Sequence, residues 1–176
     1  MILIGLGSNL PTATHGNPLE NCEAALSALA AAGVTILRRS RWYESAPMPA
    51  SDQPWFVNGV AAVTMKGTPE DLLVVCQRIE SHFGRERWER NAPRTLDLDL
   101  LAWEDWVIGG NGETLTIPHP RLHERAFVLY PLAEIAPDWR HPVLCTSIAG
   151  LIRRLTKDQQ AFPLENEGDS APGETR

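Results

Sequence analysis

Two segments of the chain carry the same punctuation, and between them they dictate where strands must lie. "NPLENCEAALSALAAAG" and "TPEDLLVVCQRIESHFG" each begin with a residue able to cap a helix, Asn17 or Thr68, followed by a proline suited to the first turn. Each closes on a glycine, Gly33 or Gly84. In the second segment Thr68 and Asp71 have capping-box spacing, and Leu72, Cys76, Ile79 and Phe83 recur at helical intervals. Leu19, Cys22, Leu26 and Leu29 form the equivalent stripe in the first. Around these helices, residues 1–6, 34–43, the run from Phe56 and residues 95–103 read as strands by apolar and β-branched content.

The resulting order, β-α-β-β-α-β, predicts an α+β, ferredoxin-like sandwich with an antiparallel sheet. "WVIGGNGETLTIPHPRL" suggests a turn or hairpin, while "HERAFVLYPLAEIAP" and "SIAGLIRRL" predict C-terminal helical additions. With 176 residues, 43% of them apolar, one domain is expected over residues 1–160. Residues 161–176, "AFPLENEGDSAPGETR", combine proline, glycine and acids and predict a disordered tail. A formal net charge of −6 disfavours nucleic acid as the main partner. Cys22, Cys76 and Cys145 have neither disulfide-framework nor zinc spacing. No stretch reaches membrane-spanning length, so the expectation is a soluble, cytoplasmic monomer.

Chemistry concentrates in "RERWERNAPRTLDLDLL". In an extended strand Leu96, Leu98 and Leu100 face one way, and Asp97 and Asp99 the other. Two carboxylates about 6 Å apart repel by roughly 3 kcal/mol at an effective dielectric near 20, a cost that hydration removes and a divalent cation reverses. An ordinary solvated strand face and a Mg²⁺ pair are both compatible with the spacing. Upstream, Arg85, Arg87, Arg90 and Arg94 fall within ten residues; such guanidinium forks match phosphate oxygens, although a salt-bridged surface loop has the same composition. "GLGSNL" lacks the third glycine of a dinucleotide loop and no GxxxxGK[ST] occurs, so any ATP would be held by side chains and metal. Phe56 and Asn58 share a strand face after a loop with three prolines, residues 44–55. They suit a planar heterocycle and its polar edge, or equally a core and a turn. His119 is a candidate phosphate donor.

"GSNL", "QRIE", "PRTLDLDLL" and "IPHPRLHERAFVLYPLAEIAP" together resemble the 6-hydroxymethyl-7,8-dihydropterin pyrophosphokinases, over about residues 1–155. The resemblance implies a ferredoxin-like fold and transfer of diphosphate from ATP to 6-hydroxymethyl-7,8-dihydropterin in folate biosynthesis, with two Mg²⁺ ions and AMP as second product. It implies that Asp97 and Asp99 are metal carboxylates and that Arg85 and Arg94 grip phosphate, with Arg87 and Arg90 nearby. Gln77, Glu80, Leu100, Thr116, His119 and Arg125 match nucleotide-side positions. Phe56 and Phe127 match the rings that sandwich the pterin, Asn58 the amide at its edge, and Ser45 and Met48 the loop lining the same pocket. Asn91 and Ala92 stand where many relatives carry tryptophan and glycine, and Thr114 where some carry arginine. No residue recommends itself as general base, so the acceptor proton is expected to pass to solvent or to the phosphates. A metal-dependent phosphodiesterase would need further acidic or histidine ligands, and a non-catalytic anion-binding module is disfavoured by the overall acidity.

Overall fold

The computed structural model describes residues 1–84, 93–109 and 115–165. Its elements are β1 Ile2–Ser8, α1 Pro18–Ala31, β2 Thr35–Arg39, β3 Tyr43–Ser45, β4 Phe56–Thr64, α2 Pro69–His82, β5 Asp97–Trp103, α3 Ala126–Ile135, β6 Arg140–His141, β7 Thr146–Ser147, α4 Ile148–Ile152 and β8 Ala161–Pro163. The main sheet runs β5-β1-β4-β3-β8, with β2 also paired to β4, and every pairing is antiparallel. This is the expected α+β sandwich. Among the described residues, no helix is long and apolar enough to cross a membrane.

Both helix starts behave as their sequences predict. Asn17 accepts from the Glu20 amide while the Glu20 carboxylate accepts from that of Asn17, and Thr68 and Asp71 repeat the arrangement. Two orphan donors are thereby satisfied at each end. Gly33 and Gly84 follow the last turns at positive φ. The apolar faces of α1 and α2 close over Ile4, Leu6, Ala61, Val63, Leu98 and Leu100 on one side of the sheet. On the other side α3 and α4 cover Leu3, Val60, Ala62 and Leu101. Strand alternation alone sorts these residues between the two layers.

The expected strand 34–43 is a correction: it divides into β2 and β3. The Ser40 hydroxyl accepts from the Val60 amide and donates to the Arg41 carbonyl, and Trp42 turns into the core against Gly59. A Cβ on Gly59 would lie 2.7 Å from the indole, so the break and the glycine belong together. The predicted tail is corrected at its start, because residues 161–163 form β8 against β3. Three residues completing a sheet edge leave little compositional trace. Residues 166–176 lie outside the described residues.

The glycine-bearing turn expected after β5 contains an isolated bridge between Ile108 and Ile117. Opposite it, β3 is pinned to α3. The Glu134 carboxylate accepts from the Arg41 Nε at 2.8 Å and the Tyr43 hydroxyl at 2.6 Å. Burial, then Glu134, pushes the Tyr43 phenol up to about 12, keeping it a donor.

Candidate active site

The sheet face that α3 covers at one end is open at the other. Register decides what is displayed there: Gly7 lies between Asn58 on β4 and Asp97 on β5, and Gly5 lies between Val60 and Asp99. The row Asn58–Gly7–Asp97 is the floor of a cleft of about 680 Å³ measured out to its open mouth. A Cβ on Gly7 would stand 3.1 Å from the Asn58 Oδ1, so the floor between amide and carboxylate exists because that position has no side chain. One wall is the loop between β3 and β4 with the strand ends that flank it, bringing Ser45, Met48 and Phe56. The other is the start of α3, with Arg125 and Phe127. A recess beside the cleft brings Asp99 next to Asp97, Gly5 and Phe127.

The amide end is preset. Asn58 is buried and donates from Nδ2 to the Ser45 hydroxyl at 2.7 Å, which assigns the orientation of its amide. The carboxylate end is partly exposed, with the Asp97 and Asp99 side chains 20% and 35% accessible, enough to meet a ligand. Leu96, Leu98 and Leu100 are buried on the opposite face, as the alternation requires. Arg94 donates to Asp97 at 2.6 Å and Arg125 to Asp99 at 3.4 Å. Burial lowers the pKa of the Arg125 guanidinium, with Asp99 opposing the shift. Its guanidinium also sits 5.4 Å from the centroid of Phe127.

His119 stands on the other flank of Asp99, with Nε2 4.0 Å from a carboxylate oxygen. Burial first, then the charge of Arg125, pushes its imidazole down to about 4, so it is neutral at pH 7. Its Nδ1 accepts from the Arg121 amide, which puts the remaining proton on Nε2, toward Asp99. His119 is held there because its own amide donates to the Leu101 carbonyl on β5, the edge strand.

Of the residues singled out in the sequence, Ser45, Met48, Phe56, Asn58 and Phe127 meet in the cleft with Arg94, Asp97 and Arg125. Gln77 and Glu80 lie on α2, outside it. Glu80 is buried, and its carboxylate accepts from the Leu98 amide at 2.8 Å. Thr116 lies half-buried on the strip leading to His119. Leu100 corrects any side-chain reading: it is buried under α2, so only its main chain, on the edge strand, is available to a ligand. Arg85, Arg87 and Arg90, with Asn91, Ala92 and Thr114, lie outside the described residues.

Asn9 carries a role that the motif "GSNL" did not reveal. Its Nδ2 donates to the Gln53 side chain and the Pro54 carbonyl, while its Oδ1 accepts from the Arg94 amide. One buried amide thus joins the proline-rich loop to the residue that pairs with Asp97. A polar side chain directly after a buried strand was the available signal.

Residues 3–137 match the family described as 7,8-dihydro-6-hydroxymethylpterin-pyrophosphokinase. The chain is 41% identical over 154 residues to the 2-amino-4-hydroxy-6-hydroxymethyldihydropteridine pyrophosphokinase of Synechocystis sp., covering 87% of this chain and 75% of that one. To the protein of the same name in Pseudomonas aeruginosa it is 44% identical over 142 residues, 80% of this chain and 83% of that one. Among solved structures, Plasmodium falciparum HPPK-DHPS superposes with a TM-score of 0.67 at 17% identity, a likeness of fold. That match covers 87% of this chain, which spans 42% of the solved one.

Proposed function

The chain belongs to the 7,8-dihydro-6-hydroxymethylpterin-pyrophosphokinase family, and we propose that it transfers a diphosphate from ATP to 6-hydroxymethyl-7,8-dihydropterin, releasing AMP, in folate synthesis. The observation that carries this reading is the single row Asn58–Gly7–Asp97, which joins an aromatic, amide-bearing pocket to a pair of carboxylates flanked by arginines. A planar heterocycle fits between Phe56 and Phe127, with Asn58 at its polar edge, and a substituent on that ring reaches the aspartates across the bare glycine.

The donor set fits a hard divalent ion. Asp97 and Asp99 offer oxygens from one strand face, and among the described residues no group of three or more His, Cys, Asp or Glu gathers that could hold a metal. Two carboxylates with the remaining positions left to water and phosphate oxygens is the habit of Mg²⁺. Asp97 and Asp99 would hold it, two ions in our reading, and bound there it supplies charge neutralisation to the phosphates.

The chain's own residues do the rest by placement. Arg94 and Arg125 each already lie against a carboxylate, so an incoming polyphosphate meets guanidinium groups held in position. Neutral His119 donates from Nε2 and is a weak base, which leaves the acceptor proton to solvent or to the phosphates. Gln77, Glu80, Thr116 and the main chain at Leu100 serve the nucleotide along the outer edge of β5. Arg85, Arg87 and Arg90 complete the phosphate grip. The protein acts as a monomer in our reading, and as a cytoplasmic one, the latter supported by three free thiols, two of them buried.

Incubation with Mg²⁺, ATP and the reduced pterin alcohol is expected to release AMP only when the pterin is present. Release of ADP, or AMP formed without the acceptor, overturns the proposal.

A further inference from the structure

The C-terminal segment lies beyond residues 3–137 and yet touches both walls of the cleft. On the loop side the Ala46 amide donates to the Gln160 carbonyl, β8 pairs with β3, and Phe162 stacks on Trp55 with centroids 6.4 Å apart. On the helix side α4 packs against α3, and the side-chain hydrogen bonds to the start of that helix come from one residue. Gln159 accepts from the Ala126 amide through Oε1 at 2.8 Å and donates from Nε2 to the Glu124 carbonyl at 2.7 Å and to the Thr156 hydroxyl at 3.3 Å.

These bonds straddle Arg125. An α-helix begins with amides that have no partner inside the helix, and a residue such as Asn17 or Thr68 usually satisfies one of them from the cap position. Arg125 occupies that position in α3 and makes no such bond; its guanidinium instead reaches Asp99. A cleft arginine therefore stands where a cap belongs, and the first helical amide, that of Ala126, finds its acceptor 33 residues further along the chain. The same amide holds the carbonyl before Arg125 and the amide after it. Arg125 and, two residues later, Phe127 thus leave a main chain clamped on both sides.

We propose that Gln159 is a positioning residue for the reaction: it supplies the distal cap of α3 and thereby sets Arg125 against the carboxylates and Phe127 against the pterin. This rests on the pyrophosphokinase reading of the cleft. Because Gln159 acts on the walls that grip the ligands, its loss is expected in KM for both substrates more than in kcat.

The test compares Gln159→Leu, which keeps the bulk and removes every polar atom, with Leu164→Ala, which thins the core on the opposite sheet face. Gln159→Leu is expected to raise both KM values about five- to tenfold, as loss of a helix cap implies, and to speed hydrogen exchange at the Ala126 amide. Leu164→Ala should lower Tm and leave both KM values unchanged. Gln159→Glu keeps the acceptor and loses the donation to Glu124, and should fall between wild type and Gln159→Leu; it decides the matter if Gln159→Leu does not fold. Unaltered KM in the folded glutamine variants overturns the proposal, as does a KM rise in Leu164→Ala that tracks its lost stability. Wild-type protein that makes no AMP removes the reading of the cleft and the inference with it. Wild-type turnover with indifferent Gln159 variants removes the inference alone.

Discussion

The face of the sheet beneath α3 changes character along its length. At one end Leu3, Val60, Ala62 and Leu101 are fully packed, and at the other the same strands present Gly7, Asn58, Asp97 and Asp99 to a cleft. The β1–β4 ladder is continuous through both, and the β1–β5 ladder runs through both with one register shift between Leu3 and Ile4, so strand pairing by itself does not separate them. What differs is which side chains are allowed to be missing. Burial at the packed end contributes stability through area removed from water, whereas the open end gives up that burial to keep a floor on which polar groups stand apart. Stability and activity should therefore separate along a single strand.

The largest effect is expected at the open end. Asp97→Ala should lower kcat/KM about a thousandfold, roughly 4 kcal/mol of transition-state stabilisation, while cooperative thermal unfolding persists. Loss of the folded state instead would mean that Asp97 belongs with the packed end. The mirror experiment is Leu3→Ala, at a side chain with no accessible surface on the strand that also carries Gly7. It should cost about 3 kcal/mol of stability, measured by denaturant unfolding, with activity per folded molecule preserved. A drop in kcat with little change in unfolding midpoint would erase the distinction between the two ends.

His119 adds a pH axis. Its imidazole has a pKa of about 4 in the folded protein, against about 6.5 when unfolded, so the unfolded chain takes up the proton first as pH falls. The associated stability is complete above pH 6.5 and declines toward pH 4, by roughly 2–3 kcal/mol at pH 4.5. His119→Gln should flatten that part of the unfolding profile relative to wild type; parallel profiles would refute it. The smallest change is Gly7→Ala. One methyl group 3.1 Å from the Asn58 Oδ1 should raise the pterin KM about tenfold by crowding the floor, with Tm nearly constant. An unchanged KM would show that the glycine serves the strand and not the cleft.

Much of this was legible in the chain because it is written locally. Asn17 and Thr68 announce helix starts, Leu96, Leu98 and Leu100 announce a buried face, and Asp97 and Asp99 then have only one direction left. Less was legible where a feature needs a distant partner. The division of residues 34–43 depends on Gly59 receiving Trp42, and β8 depends on an edge that β3 leaves open. Asn9 looked like one polar residue of a motif until folding put Gln53, Pro54 and Arg94 around it.

The sequence by itself determined the order of elements, the sorting of side chains between sheet faces and the residue types available for chemistry, since caps and periodicity act over a few positions along one chain. Only the tertiary structure decided that Asn58, Gly7 and Asp97 share a row, that Leu100 spends its side chain in the core, and that Gln159 caps the helix bearing Arg125. Those facts follow from strand register and from chain segments meeting across the fold, quantities that no local pattern encodes.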